Sequence, residues 1–151
     1  MITVKIKGVD QVVRSYNRKA DGVEDALTEG TIEASEYIID CIEDKFGKYQ
    51  PRWPQLKPDT IIKEVKAGAG SNANKPLIEF GDMMFSFTSK ISARTRKHLV
   101  HILSDDPKLI HHMYGAPAAG VPKRDPVRPT IKEENDKCLD IIRKAVRRVL
   151  K

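Results

Sequence analysis

The positions of the prolines limit what this chain can fold into more than any other feature of its sequence. Four of the nine prolines fall within residues 111–130, HHMYGAPAAGVPKRDPVRPT, and three more fall within residues 51–58, PRWPQLKP. Proline fixes φ and has no amide hydrogen, so neither stretch can form a helix interior or a central strand. The sequence therefore predicts two stiff, irregular connectors between elements of regular structure.

The region before the first connector has the apolar spacing of helices. We predict a short helix over residues 9–19 and, after an interruption at Asp21-Gly22, a long helix over residues 23–46. The long helix carries an apolar stripe made up of Val23, Leu27, Gly30, Ala34, Ile38 and Cys41. Two members of this stripe are small, which would let another element approach that face closely.

The chain closes on a second amphipathic helix, predicted over residues 131–150. Thr130 and Glu133 have the spacing of a capping box, in which each side chain accepts from the backbone amide of the other. The apolar stripe of this helix comprises Cys138, Leu139, Ile142, Ala145, Val146, Val149 and Leu150.

Alternating apolar and polar residues predict three short strands, over residues 2–6, 85–93 and 98–103. The last two are separated by a basic turn and should form an antiparallel hairpin. We therefore predict an α+β fold in which a small, mainly antiparallel sheet packs with the long N-terminal helix and the C-terminal helix.

The length favours a single domain over residues 1–151. Within it we expect a short helix near Val65 capped by Asp59 or Thr60, a flexible loop near residues 67–75 and a proline-rich arm near residues 115–129.

Charge is unevenly distributed along the chain. Residues 1–50 carry 7 basic and 10 acidic side chains, a net charge of −3, whereas residues 51–151 carry 20 basic and 11 acidic side chains, a net charge of +9. This imbalance suits contact with nucleic acid, or the stacking of acidic on basic surface between copies, or simply a solvated surface.

The composition excludes several other classes of protein. No apolar run approaches the roughly 18 residues of a membrane span, and the N-terminal residues lack the pattern of a secretory signal. The two cysteines, Cys41 and Cys138, lie on predicted apolar helix faces, which favours buried thiols in a reducing compartment over a disulfide framework.

The chain has no recognisable catalytic or metal-binding motif. His98 and His101 point to opposite faces of a predicted strand, and His111 and His112 diverge on a predicted helix, so no histidine pattern matches a zinc site. Phosphate-loop, dinucleotide-binding and nucleophile-elbow patterns are missing from the sequence. We therefore expect a protein that is not an enzyme and that has no cofactor and no bound metal.

Trp53, the single tryptophan, lies between the prolines of the first connector. We expect it to be an anchor, either buried in the domain or placed at a contact between subunits.

The order of these features resembles the tail-completion, or virion-morphogenesis, proteins of tailed bacteriophages. The resemblance covers most of the chain and is carried by GVDQVV ahead of the long helix, by WPQLKPDTIIKE, by KPLIEFGDMMFSFT and by HHMYGAPAAGVPKRDP. The matching positions are Leu77, Gly81, Met84, Ser86, His111 or His112, Gly115, Pro122 and Arg124. The chain departs from the family pattern at Met83-Met84, where leucine is usual, and at Asp125-Pro126.

The resemblance implies a structural virion protein that forms a ring at the head–tail junction or at the tail end. It implies a homo-oligomer of six copies around a channel, contacts with neighbouring neck and tail-tube proteins, and passage of genome DNA through the channel. It implies no catalysis and no membrane contact, and it implies assembly in the host cytoplasm. The alternative that the basic residues favour is a nucleic-acid-binding module, although no aromatic platform for stacking bases is evident.

These expectations give the proline-rich arm a role at the subunit interface. A stiff, extended segment can cross to a neighbouring copy with little loss of entropy. We predict that Pro122 lies in this interface and that Arg124 and Arg128 bind acidic residues of the long helix in that copy, such as Glu29, Glu33, Glu36 or Asp40. The alternative is a surface loop that spans from the hairpin to the last helix of the same chain. The candidate interface residues are Trp53, Pro122, Arg124, Arg128, Glu33 and Asp40.

Overall fold

The computed structural model describes residues 9–78, 81–94 and 97–150. In chain order these residues form α1 (Val9–Glu43), α2 (Pro58–Lys66), β1 (Phe87–Arg94), β2 (Lys97–Ser104), α3 (Lys108–Tyr114) and α4 (Val127–Leu150). Because α1 packs against α4 and against the antiparallel pair of strands, the predicted α+β fold is confirmed. The predicted strand over residues 2–6 lies outside the described residues.

Helix α1 is continuous over 35 residues, so the predicted interruption at Asp21-Gly22 is wrong. Gly22 faces α4, and a Cβ atom built on it would lie 2.9 Å from Cγ1 of Val149. A glycine inside a helix costs only about 1 kcal/mol relative to alanine, which the packing of a long helix outweighs. Gly22 therefore allows α4 to pack closely against α1 and does not form a turn.

Helices α1 and α4 pack closely and antiparallel through small residues, as predicted for Gly30 and Ala34. A Cβ atom on Gly30 would lie 2.9 Å from Cβ of Ala145. Farther along α1, Sγ of Cys138 lies 3.8 Å from the carbonyl oxygen of Ala34. From Gly22 to Ala34 along α1, the contacting residues of α4 run backwards from Val149 to Cys138. The two helices therefore run in opposite directions.

The core lies where α1 meets the hairpin and the turns that flank it. Its buried members are Ile38, Ile42, Phe46, Leu77, Met83, Phe87 and Leu109. The predicted stripe on α1 is partly wrong, because it includes the half-buried Cys41 and omits Ile42, which is fully buried. The reason is that α1 buries two adjacent sides: the small residues face α4, whereas Ile42 belongs to the cluster formed with the hairpin. Phe46 and Phe87 meet edge to face there, with ring centroids 5.9 Å apart.

Strands β1 and β2 form the predicted antiparallel hairpin, with Phe87 opposite Ser104 and Arg94 opposite Lys97. The start of β1 differs from the prediction by two residues. Met84–Ser86 forms a 3-10 turn instead, and this turn leaves the ring of Phe85 71% exposed. Residues 95–96, at the tip of the hairpin, lie outside the described residues.

Helix α4 begins four residues before the predicted start. Oδ1 of Asp125 accepts hydrogen bonds from the amides of Val127 and Arg128 at 3.0 and 3.1 Å. Asp125 is therefore the N-cap of α4, and Pro126 occupies the position after the cap, where a missing amide hydrogen has no consequence.

The predicted capping box at Thr130 and Glu133 is consequently wrong. Thr130 lies inside the helix, 1% exposed, and its hydroxyl donates to the carbonyl oxygen of Pro126 at 2.7 Å. Pro129 fits the first turn because the amides there have no acceptor within the helix. The predicted start of the helix, residue 131, is too late because the prediction did not allow for Pro129 within the first turn.

The first connector and the segment after it return the chain to the end of α1. Gly47 has a φ of +71° and donates its amide hydrogen to the carbonyl oxygen of Pro76 at 2.9 Å. Helix α2 starts at Pro58, so the predicted caps of that helix, Asp59 and Thr60, both lie inside it. Beyond α2, residues 67–74 form turns that include one 3-10 turn, Gly70–Asn72.

Candidate functional site

Residues 115–129, the predicted arm, fold back against their own domain. The amide of Arg124 donates to the carbonyl oxygen of His112 at 2.7 Å. Ala116 and Val121 exchange two backbone hydrogen bonds of 2.8 and 3.0 Å, which close a small loop. In the single chain the segment is thus a folded loop, and its contact with a neighbouring copy stays a prediction.

The side chain of Arg124 is the centre of this arrangement. It is 3% exposed, and its guanidinium donates to the carbonyl oxygen of Pro54 from Nε at 3.2 Å and from Nη2 at 2.8 Å. A further bond of 3.3 Å reaches the carbonyl oxygen of Gln55. A buried guanidinium needs acceptors, and the connector supplies carbonyl oxygens that no helix or strand uses. Arg124 therefore joins the two proline-rich connectors to each other and is not available to a carboxylate of another copy in this conformation.

The electrostatic surroundings of Arg124 contain opposing influences. Burial lowers the pKa of its guanidinium, while Tyr49 and Glu64 act in the opposite direction. A guanidinium remains protonated at neutral pH even so. A permanent positive charge is therefore held under the surface between α2 and the arm.

Arg128, the second predicted anchor, lies at the surface. Its side chain is 47% exposed, and its guanidinium carbon lies 4.3 Å from the centre of the Tyr114 ring. Nε of Arg128 also lies 3.7 Å from Oδ2 of Asp125. Arg128 keeps enough exposure to reach a partner, unlike Arg124.

The remaining predicted interface residues fall into two groups. Trp53 is partly buried and packs against the core cluster, which fits an anchor within the domain. Pro122 is half-buried in the arm. Glu33 and Asp40 are exposed on α1, on the side that faces away from the core. The single chain does not bring them together with Arg124 or Arg128.

Glu33 and Asp40 belong to a larger group, which we call the acidic ridge. Its members are Asp25, Glu29, Glu33, Glu36 and Asp40, all exposed. Their spacing of three or four residues places them along one face of the helix. Just beyond the ridge, burial and the neighbouring charge of Asp40 raise the pKa of Glu43.

A cleft of about 600 Å³ lies between α2, residues 75–78 and 81–83, α3 and the arm. We call it the proline cleft, and its floor and walls include Pro54, Leu77, Tyr114, Pro122, Lys123 and Arg124. Its size falls in the range of roughly 300–1,000 Å³ that ligand sites occupy. Sequence reasoning missed it because its walls come from segments far apart in the chain, although the proline-rich composition marks two of them.

His112 lies in the wall of the proline cleft and is partly buried. Burial is the largest of the influences that lower its pKa; Arg124, His111 and Lys108 lower it further, and Asp106 opposes them. Its Nδ1 atom is buried and has no hydrogen-bond partner among the described residues. At neutral pH the imidazole is therefore uncharged.

A second group of titratable side chains lies between α1 and α4. The hydroxyl of Tyr37 donates to Oε2 of Glu134 at 2.6 Å, and this hydrogen bond raises the pKa of Tyr37. Burial raises the pKa of Cys138, while Cys41 is half-buried and free. A thiol with a raised pKa is a poor nucleophile, so this group holds the two helices together rather than forming a reactive site.

The described residues, 9–78, 81–94 and 97–150, contain no group of three His, Cys, Asp or Glu side chains placed to hold a metal ion. Among the same residues no helix combines the length and the apolar character needed to cross a membrane. Comparison with models of protein families, with curated proteins and with solved structures returned no match.

Proposed function

We propose that the chain is a structural subunit of a tailed-phage virion, which assembles into a ring at the head–tail junction or at the tail end. The sequence resemblance set out above suggests this class. Repeated contact between copies of one chain is the property that such a role requires, so surfaces suited to contact between copies count in its favour.

The observation that carries the proposal is the separation of charge on α1. Residues 20–44 contain nine acidic and no basic side chains. No member of the acidic ridge forms an ion pair within the part of the chain that the structure describes. A face of one sign, left without counter-charges by its own chain, is suited to a partner surface of the opposite sign.

The basic partner surface is available on the same chain. The last turns of α4 carry the exposed side chains of Lys144, Arg147 and Arg148, and that of Arg143, which pairs with Asp140 at 3.1 Å. A contact that joins two different surfaces of one chain is heterologous, and repetition of it closes into a ring when the rotation permits. Opposite charge on two separate surfaces is therefore what a ring built from one repeated contact requires.

The experiment is to reverse two charges of the acidic ridge in phage particles. Glu29→Lys with Glu33→Lys should leave the monomer folded, because both side chains are exposed, and should prevent the joining of heads and tails. The matched control is Asp105→Lys with Asp136→Lys, which reverses two exposed acids outside the ridge and should leave particles normal. Normal particles from the ridge variant would contradict the proposal.

The nucleic-acid alternative predicts a different result from a second pair of changes. Removing Arg147 and Arg148 would then lower the affinity for DNA and make its salt dependence shallower, while heads and tails would still join.

A further inference from the structure

The interior of the proline cleft is apolar and preformed. Leu77 and Met83, 8% and 7% exposed, line it, and Pro54 and Pro122 add wall surface that cannot donate a backbone hydrogen bond. Leu77 has a φ of +65°, a conformation that costs a non-glycine residue about 1–3 kcal/mol and persists only when its surroundings fix it. The wall is therefore held in place before any ligand arrives.

The rim of the cleft is positively charged. Four exposed lysines line the cleft, Lys57, Lys75, Lys108 and Lys123, and the buried guanidinium of Arg124 adds a fifth positive charge below the rim. Three acidic side chains, Glu64, Asp82 and Asp106, also line it, so the balance is five minus three, or +2. Asp106 is already engaged, because its Oδ1 accepts the amide of Lys108 at 2.7 Å. A ligand that carries carboxylates complements this rim.

The apolar surface continues beyond the cleft onto α3. Tyr114 lines the cleft and is 63% exposed, and Ile110, one turn earlier on the same face of α3, is 58% exposed. A small molecule inside the cleft would leave these side chains in water, whereas a protein segment would cover them.

We propose that the proline cleft, with the exposed side chains of Ile110 and Tyr114 on α3, is a docking site for an extended segment of a partner protein in which apolar and acidic residues alternate. Every second side chain of an extended segment points the same way, so the apolar ones enter the cleft. The carboxylates between them stay at the rim, where the long side chains of Lys108 and Lys123 reach them. This site does not require the chain to form a ring.

The test is a titration of the isotope-labelled protein with three short synthetic peptides, followed by the backbone amide signals. One peptide alternates Leu and Asp, the second alternates Leu and Lys, and the third alternates Ser and Asp. The Leu/Asp peptide should bind about tenfold more tightly than either of the others, a difference that corresponds to one unit in log Kd. The amides of Gly115, Gly120 and Arg124 should shift on binding.

A charge-reversed pair and a matched control locate the site. Lys108→Glu with Lys123→Glu should weaken binding of the Leu/Asp peptide by about tenfold, because reversal replaces attraction at the rim by repulsion. Lys132→Glu with Lys137→Glu, which reverses two exposed lysines on α4, should leave the affinity unchanged.

Several outcomes would overturn the proposal. Equal affinity for the Leu/Lys peptide, or no binding of any peptide, would exclude a segment of alternating apolar and acidic residues as the ligand. Equal affinity for the Ser/Asp peptide, or full competition by inorganic phosphate, would make the cleft a simple anion site. If the Lys108 and Lys123 reversals abolish self-association and leave the peptide affinity unchanged, a second copy of the chain is the occupant instead.

Discussion

Arg124 joins two parts of the chain that are 70 residues apart, through bonds from one guanidinium to the carbonyl oxygens of Pro54 and Gln55. Both partners belong to irregular connectors, which have no helix or sheet to hold them. A planar group with several donors can bind two carbonyl oxygens at once, which a lysine ammonium on a flexible stem does less well. The position of both connectors therefore depends on this one side chain.

Removal of this side chain should destabilise the monomer. Arg124→Ala removes the donors to the carbonyl oxygens of Pro54 and Gln55, and hydrogen bonds to charged groups contribute about 1.5–3 kcal/mol, so we expect a loss of that size in the free energy of unfolding. Arg128→Ala, which removes an exposed contact with Tyr114, should cost about 1 kcal/mol or less. Urea unfolding measures both. Equal effects of the two variants would show that Arg124 is not the joint between the connectors.

His112 should make stability depend on pH. Burial lowers its pKa below the ordinary value of 6.5, so the unfolded chain binds the proton more tightly than the folded chain. The free energy of unfolding should therefore be highest above pH 6.5 and should fall as the pH drops through 6.5 towards the folded-state pKa. His112→Asn should flatten this decline in thermal unfolding. A decline of the same slope in the variant and in the unchanged protein would assign it to other groups.

At the scale of elements, the contact between α1 and α4 depends on two glycines with different surroundings. A Cβ atom on Gly30 would lie 2.9 Å from Cβ of Ala145 and 3.0 Å from Cα of Ile142, which is backbone and cannot move aside cheaply. A Cβ atom on Gly22 would meet only Cγ1 of Val149, and that side chain is 39% exposed and can rotate away.

The two glycines should therefore respond in opposite directions to the same substitution. Gly30→Ala should destabilise the protein by about 1–3 kcal/mol, because extra volume in a packed interface forces the helices apart. Gly22→Ala should be neutral or stabilising by up to about 1 kcal/mol, because alanine is the better helix former. Thermal unfolding of the two variants checks this. A stabilising Gly30→Ala would mean that α4 lies farther from α1 than described.

Asp125 caps α4 and should matter more than the residues that the sequence pattern favoured. Asp125→Ala removes the acceptor for two amides of the first turn and should cost about 0.5–2 kcal/mol. Glu133→Ala removes only an exposed ion pair with Lys45 and should cost at most about 1 kcal/mol. Denaturant unfolding of both variants decides between the two caps, and a larger effect at Glu133 would favour the predicted capping box.

Individual residues show how far sequence reasoning reaches in this chain. The spacing of Gly30 and Ala34 correctly predicted a close helix contact, because small side chains on an apolar helix face leave room for another element to pack against it. In the sequence Gly22 has the appearance of a helix breaker. Its role, which is to let α4 pack closely against α1, is visible only in the folded chain. Arg124 looked like a surface cation because its acceptors are carbonyl oxygens, which every residue has and no sequence pattern marks. The proline cleft was out of reach for a related reason, namely that its walls meet only in the folded chain.

At the scale of the whole molecule, the chain presents a negative surface on α1 and a positive surface elsewhere. The ridge that runs from Asp25 to Asp40 extends about 22 Å, given a rise of 1.5 Å per helical residue. Such a surface repels its own copy in a two-fold arrangement and attracts a basic surface in a head-to-tail one. Assembly by this contact should weaken with rising salt, because exposed charges are screened.

The most direct measurement of the central claim is electron microscopy of the purified full-length chain at low ionic strength. The proposed head-to-tail contact predicts closed rings with a central channel and a single copy number, and it predicts that Glu29→Lys with Glu33→Lys removes them. Particles that remain single chains at concentrations well above those of a typical micromolar contact, or rings that the ridge variant forms equally well, would contradict it.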